Sequence, residues 1–272
     1  MPTRPETTSN TVTFTGSDGI LLSGRLDRPA GRCAATAVFA HCFTCGKDIV
    51  AAARIARALA ARGVAVLRFD FAGLGDSGGE FAGSDFSSEV DDLRHAADHL
   101  RETIGAPSIL IGHSLGGAAV LAAAHRIPEA RAVVTIGAPA DPAHIEHLLG
   151  PARDRIAAEG SATVSIAGRP FTFRRSFLDD IRTQRQRERI ATLRCALLVM
   201  HSPRDEVVEL RNARQIYDAA PHPKSFISLD GADHMLTDRA HAVYVADVLT
   251  AWVGRYLEPS AGPGAVAVEP AT

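Results

Sequence analysis

The run "LIGHSLGGAAVLAAAHR", Leu110–Arg126, decides the fold. It opens as an apolar, strand-like stretch and, past His113 and Ser114, becomes alanine-rich with helical character. Glycines stand two residues before the serine and two after it, so Gly112-His113-Ser114-Leu115-Gly116 reads G-x-S-x-G. A sharp strand-to-helix turn crowds its neighbours, which is why the flanking positions must be small. Such a turn lifts the hydroxyl out of the sheet. The helix that begins there aims free N–H groups and a positive dipole end at any negative charge that develops. A loop serine that merely caps a helix is the plainer reading; a strand before and a helix after favour a nucleophile elbow.

The same alternation extends in both directions. "TVTFT" (11–15) and "ILLSGRL" (20–26) read as an antiparallel hairpin. "ATAVFAH" (35–41), "VAVLRFD" (64–70), "SILIGH" (108–113), "AVVTIGA" (132–138), "CALLVMHS" (195–202) and "KSFISL" (224–229) read as strands. Helices are expected over 48–62, 86–104, 114–126, 211–220 and 238–256. Short apolar strands alternating with helices imply a mostly parallel sheet of about eight strands covered on both faces. Residues 139–193 break the pattern and read as a small cap insertion, with a hairpin turning at Gly168–Arg169. One domain is expected over 1–258, and the Pro/Gly/Ala-rich 259–272 is expected to be a disordered tail.

Composition narrows the function. The 272 residues carry a net charge of −2, with 46% hydrophobic and 22% charged residues. This balance gives no strong field toward nucleic acid or membrane. No apolar run approaches the ~18 residues of a membrane span, and "MPTRPETTSN" lacks a secretory apolar core. Four cysteines in a chain of this length are not a disulfide framework. A cytoplasmic protein is expected from this balance; the small acyl substrate, with no cofactor and no metal, is expected from the motifs that follow.

A serine hydroxyl needs a base, and the base needs an orienting acid, following it in the order Ser, Asp or Glu, His. Of the downstream histidines, only His234 in "DGADHML" falls in a loop straight after the last strand and before the closing helix. His125 and His241 lie within helices, and His222 precedes the last strand. Asp205 in "VMHSPRDEVV" lies a few residues past a strand end and is the expected acid. Glu206 would point elsewhere, while Asp230 and Asp233 could cap the last helix. An oxyanion needs preorganised N–H donors. The backbone of Leu115 is one, and the loop "HCFTCGKD" (41–48) supplies the other, through Phe43 or alternatively Cys42. His41, Cys42, His113 and Phe171 are candidates for contacting substrate.

The motifs "HCFTCGKD", "RFDFAGLGDSGG", "GHSLGG", "HSPRDEVV" and "GADHML" occur in an order that resembles the alpha/beta-hydrolase superfamily over about residues 11–257. Within it, the chain is similar to serine-aminopeptidase-like hydrolases found alone or fused to an OsmC-type peroxide-reducing domain. The resemblance implies carboxylic-ester hydrolysis, with amide or thioester cleavage by the same triad as the alternative. It departs from the family at His41-Cys42, where most members carry His-Gly. Glycine allows backbone angles that cysteine adopts only at a cost, so a wider or differently arranged loop is expected.

Other signals compete. Cys42 and Cys45 form C-x-x-C, which suggests a redox dithiol or half a metal site, or else two small residues packing a tight loop. "HIEH" (144–147) has no partner cluster in sequence. Gly73, Gly75 and Gly78 fit G-x-G-x-x-G after a strand, but no helix opens at the last glycine, so the match is read as a turn. "RTQRQRER" (182–189) reads as a solvated cap helix, with a site for an acidic partner as the alternative.

Overall fold

A computed structural model describes residues 6–257; the expected disordered tail lies outside the described residues. The chain opens with β1 (Thr7–Thr15) and β2 (Leu21–Pro29), paired antiparallel from Thr7 opposite Pro29 to Thr15 opposite Leu21. Strands and helices then alternate: β3 (Ala35–Ala40), α1 (Val50–Ala60), β4 (Val64–Phe69), α2 (Phe86–Thr103), β5 (Ile109–His113), α3 (Leu115–Ala123) and β6 (Ala132–Ile136). Residues 139–193 interrupt with α4 (Glu146–Leu149), α5 (Ala152–Glu159), the hairpin β7 (Ser161–Ile166) and β8 (Arg169–Arg174), α6 (Arg175–Thr183) and α7 (Gln186–Ala191). The chain closes through β9 (Ala196–His201), α8 (Arg211–Ala219), β10 (Lys224–Ser228) and α9 (Arg239–Leu257).

Eight strands form one sheet in the order β1-β2-β4-β3-β5-β6-β9-β10. β4, β3, β5, β6, β9 and β10 run parallel, and β2 joins β4 antiparallel. The two faces alternate residue by residue, as the two-residue period of a strand requires. Val38, Leu67, Leu110, Val133 and Leu197 join the core that holds α2 and α3. Their neighbours Phe39, Val66, Ile111, Val134 and Leu198 join the core under α1 and α9. Both faces are covered, so these strands carry apolar residues on both faces rather than alternating apolar with polar. No helix among the described residues is long and apolar enough to cross a membrane.

Two expectations need correction or a physical reason. The β7–β8 hairpin turns at Ala167–Gly168, not Gly168–Arg169, because Ile166 pairs with Arg169 and leaves a two-residue loop. Both loop residues have positive φ, 49° and 78°, the geometry whose twist matches the flanking strands. The glycine-rich stretch after β4 wraps a carboxylate. Asp70 accepts bonds from the Lys47 amide, from Lys47 Nζ at 2.6 Å and from the Asp76 amide at 3.0 Å. A Cβ on Gly75 would fall 2.2 Å from Asp70 Oδ2, so only glycine lets the chain pass this close.

Candidate active site

The elbow is built by close approach. A Cβ on Gly112 would fall 2.2 Å from the carbonyl oxygen of Gly116, and one on Gly116 would fall 2.4 Å from that of His41. Glycine at both places lets α3 start hard against β5 and the end of β3. Between them Ser114 takes φ 56° and ψ −128°, a conformation that costs an L-residue of order 1–3 kcal/mol and persists because its surroundings over-determine it. The Ser114 amide donates to the Ile136 carbonyl at 2.9 Å. Leu115 is the first residue of α3, so its N–H has no helical acceptor.

His234 reaches this serine from the loop after β10. Its Nε2 lies 3.0 Å from Ser114 Oγ, and its Nδ1 lies 2.8 Å from Asp205 Oδ2. Asp205 is itself held: its Oδ1 accepts from the amides of Val207 at 2.9 Å and Val208 at 2.8 Å. Burial would raise the Asp205 carboxyl, but bonds from His234 and the Val208 and Val207 amides outweigh it and hold it below the usual range. Glu206 is exposed. Asp233 accepts from the Thr237 amide and hydroxyl, and Asp230 from Ser228 Oγ. Three side chains more than a hundred residues apart at the extremes thus meet at the carboxyl ends of β5, β9 and β10.

The loop after β3 solves its missing glycine in a different way from a wider turn. Cys42 and Cys45 are joined by a disulfide, and the Cys45 amide donates to the Cys42 carbonyl at 3.1 Å. The positive φ of the turn, 56°, falls on Thr44 rather than Cys42. Thr44 Oγ1 donates to the Phe43 carbonyl at 2.7 Å. Among the described residues, no backbone acceptor takes the Phe43 amide. The Phe43 ring packs 5.7 Å from Phe173 and 5.8 Å from Phe177, which seats the loop against the 139–193 insertion. Phe171 lies on the same hairpin, 4.9 Å from the Phe81 ring.

With this geometry in view, the comparisons with known proteins are specific. A family model described as serine aminopeptidase S33 matches residues 34–166. The esterase domain of a Rhodothermus marinus protein is 47% identical, covering 92% of this chain and 100% of that one at a TM-score of 0.77. This chain belongs to the alpha/beta hydrolases. The hydrolase shares its fold with Est1E from Butyrivibrio proteoclasticus, solved with ferulic acid bound, at 19% identity, 90% and 99% coverage and a TM-score of 0.74. The uncharacterized protein YfhR of Salmonella typhi is 29% identical over 253 residues, 86% of the hydrolase and 76% of YfhR.

All four candidate substrate contacts are buried, Phe171 at 9% exposure among them. His41, Cys42 and His113 are 2%, 4% and 2% exposed. His41 Nδ1 donates to the Cys42 carbonyl at 2.8 Å and its ring packs edge-on to Phe71. His113 Nε2 donates to the His234 carbonyl at 2.7 Å. His201 is buried beside Asp205, its Nε2 3.6 Å from Asp205 Oδ2, and the sequence alone did not show what this ring holds. Its Nε2 donates to the Val208 carbonyl at 2.7 Å. The available signal was a histidine closing an otherwise apolar strand, which recurs at His113 and His201.

Proposed function

We propose that the protein is a serine hydrolase that cleaves carboxylic esters through an acyl-enzyme. One observation carries the reading: His234 stands between Ser114 Oγ and Asp205 Oδ2 at 3.0 and 2.8 Å. In this reading Ser114 attacks the acyl carbon while His234 Nε2 takes its proton. Asp205 holds the imidazole through Nδ1–H and stabilises its charged form. The tetrahedral oxyanion accepts from the amides of Leu115 and Phe43. Collapse expels the alcohol, protonated by His234. Water, deprotonated by the same ring, then attacks the acyl-serine and releases the acid. Neither a cofactor nor a metal is called for in these steps.

The 47% identity to an esterase domain supports an ester as substrate. The match to a serine aminopeptidase model favours a second reading, in which the same residues cleave an amide. Rates on p-nitrophenyl esters of rising chain length beside aminoacyl p-nitroanilides separate the two. Ser114→Ala is expected to abolish both ester turnover and labelling by a fluorophosphonate; undiminished turnover by that variant overturns the proposal. The disulfide of Cys42 and Cys45 is read here as a strut of the oxyanion loop, not as a separate thiol activity.

A further inference from the structure

We infer that His113 and His201 are positioning residues for the base and the acid, each closing a strand and holding, through one N–H···O=C bond, the loop that carries His234 or Asp205. The inference rests on the Ser-His-Asp reading above.

The two histidines occupy equivalent places. His113 is the last residue of β5 and His201 the last of β9, and both are buried. Each ring uses Nε2 on a backbone carbonyl, His234 at 2.7 Å and Val208 at 2.7 Å. A carbonyl only accepts, so both rings must be the Nε2–H tautomer. Among the described residues, each leaves Nδ1 buried without a partner. An imidazole with one unmet nitrogen is an expensive way to fill a core position, and other strands end in Ala40, Phe69 and Ile136, which carry no such cost. What distinguishes the two histidines is the carbonyl each one reaches. The His234 carbonyl belongs to the base itself. The Val208 carbonyl belongs to the residue whose amide donates to Asp205 Oδ1 at 2.8 Å.

Neutrality matters as much as reach. Burial, with the neighbouring His234, pushes His113 down to about 4, and burial lowers His201 as well. His201 Nε2 lies 3.6 Å from Asp205 Oδ2, the same oxygen that His234 engages at 2.8 Å. A charged ring there would compete with His234 for that oxygen; a neutral one leaves it to the base.

The test compares side chains that differ in where they place an N–H. A glutamine amide reaches about as far as Nε2, an asparagine amide stops near Nδ1, and leucine has no donor. His113 and His201 are each changed to Gln, Asn and Leu. For each protein the rate constant for fluorophosphonate labelling of Ser114 is followed by mass spectrometry, beside kcat and KM on p-nitrophenyl acetate. The labelling constant is a property of folded molecules, so it survives a poor yield of any one variant. His113→Asn and His113→Leu are expected to lower kcat and the labelling constant at least tenfold at unchanged KM, since misplacement by ~1 Å costs on the order of 10²-fold. His113→Gln is expected to stay within about threefold of the wild type, and the His201 series to follow the same order. Asn and Leu variants that label as fast as wild type, or Gln variants as slow as they are, overturn the inference. A wild-type protein that neither labels nor turns over ester overturns the triad reading instead.

Discussion

Arg169, the first residue of β8, donates from its guanidinium to the main-chain carbonyl of Thr44 in the loop after β3. Together with Phe173 against Phe43, this ties the insertion to the loop that carries the proposed oxyanion donor. A hydrogen bond to a charged donor contributes ~1.5–3 kcal/mol, and this one is part-buried, its acceptor residue Thr44 being buried. Arg169→Ala is expected to lower kcat/KM on a short p-nitrophenyl ester about three- to tenfold while moving the thermal midpoint little. A variant with unchanged kinetics would show that the hairpin is indifferent to this contact.

Asp205→Asn should keep the fold, because an amide oxygen still accepts from the Val207 and Val208 amides. It offers His234 a neutral partner and favours the wrong tautomer. A fall in kcat of roughly 10³–10⁴ at neutral pH is expected. Retention of more than a tenth of wild-type kcat would remove Asp205 from the proposed triad.

Gly116→Ala places a methyl 2.4 Å from the His41 carbonyl oxygen and 2.5 Å from that of Ala40, both backbone atoms that yield little. Overpacking of this kind costs ~1–3 kcal/mol, or about 2–4 °C per kcal/mol in the thermal midpoint for a chain near this size. Gly83→Ala, with nothing within 4 Å of the new methyl, is the control and should shift stability by less than ~0.5 kcal/mol. Equal midpoints for the two variants would contradict the crowding described at the elbow.

Cleavage of the Cys42–Cys45 bond frees the turn that presents the Phe43 amide. Losing one oxyanion donor outright costs ~3 kcal/mol of barrier, so a partial loss is expected to lower kcat from several-fold to about 10²-fold at similar KM. The assay is the initial rate before and after dithiothreitol, beside the Cys42→Ala/Cys45→Ala double variant. That variant should be slow from the outset and insensitive to reductant. A wild-type rate untouched by verified reduction would rule out the strut.

Glu89, on the buried side of α2, is pushed from its ordinary 4.5 to about 8 by burial and by Asp92, Asp85 and Asp180. Between those values the folded protein keeps a proton that the unfolded chain has lost. Stability from this group therefore falls as pH rises from about 4.5 to 8, by up to ~1.4 kcal/mol per pH unit. Glu89→Gln, permanently neutral, should raise the thermal midpoint at pH 8 and change it little at pH 5. An equal shift at both pH values would mean that the carboxyl is already ionised in the folded state.

What could be read in the sequence was whatever is set by neighbours along the chain. The strands β3, β4, β5, β6 and β9 are short, mostly apolar runs because both faces of the sheet are covered there, and each ended within a residue or two of its expected place. The elbow was legible because G-x-S-x-G is a steric requirement of one turn. Ser114, His234 and Asp205 were separable from their rivals by position relative to strand ends. The β7–β8 turn was misplaced by one residue because Ala167 shares the left-handed conformation with Gly168, and alanine carries no mark of it. The Arg169–Thr44 contact and the carbonyl held by His113 join positions 125 and 121 residues apart. No local pattern encodes such pairings; they follow only once the sheet has brought the strand ends together.

The glycines that follow β4 mimic a nucleotide-binding fingerprint, and Asp70 explains why the likeness goes no further. The cradle of amides and a lysine ammonium that such loops offer to a phosphate is here occupied by the chain's own carboxylate. A visiting anion would meet a negative charge in the seat it needs, so the loop behaves as a receptor permanently filled by an internal guest.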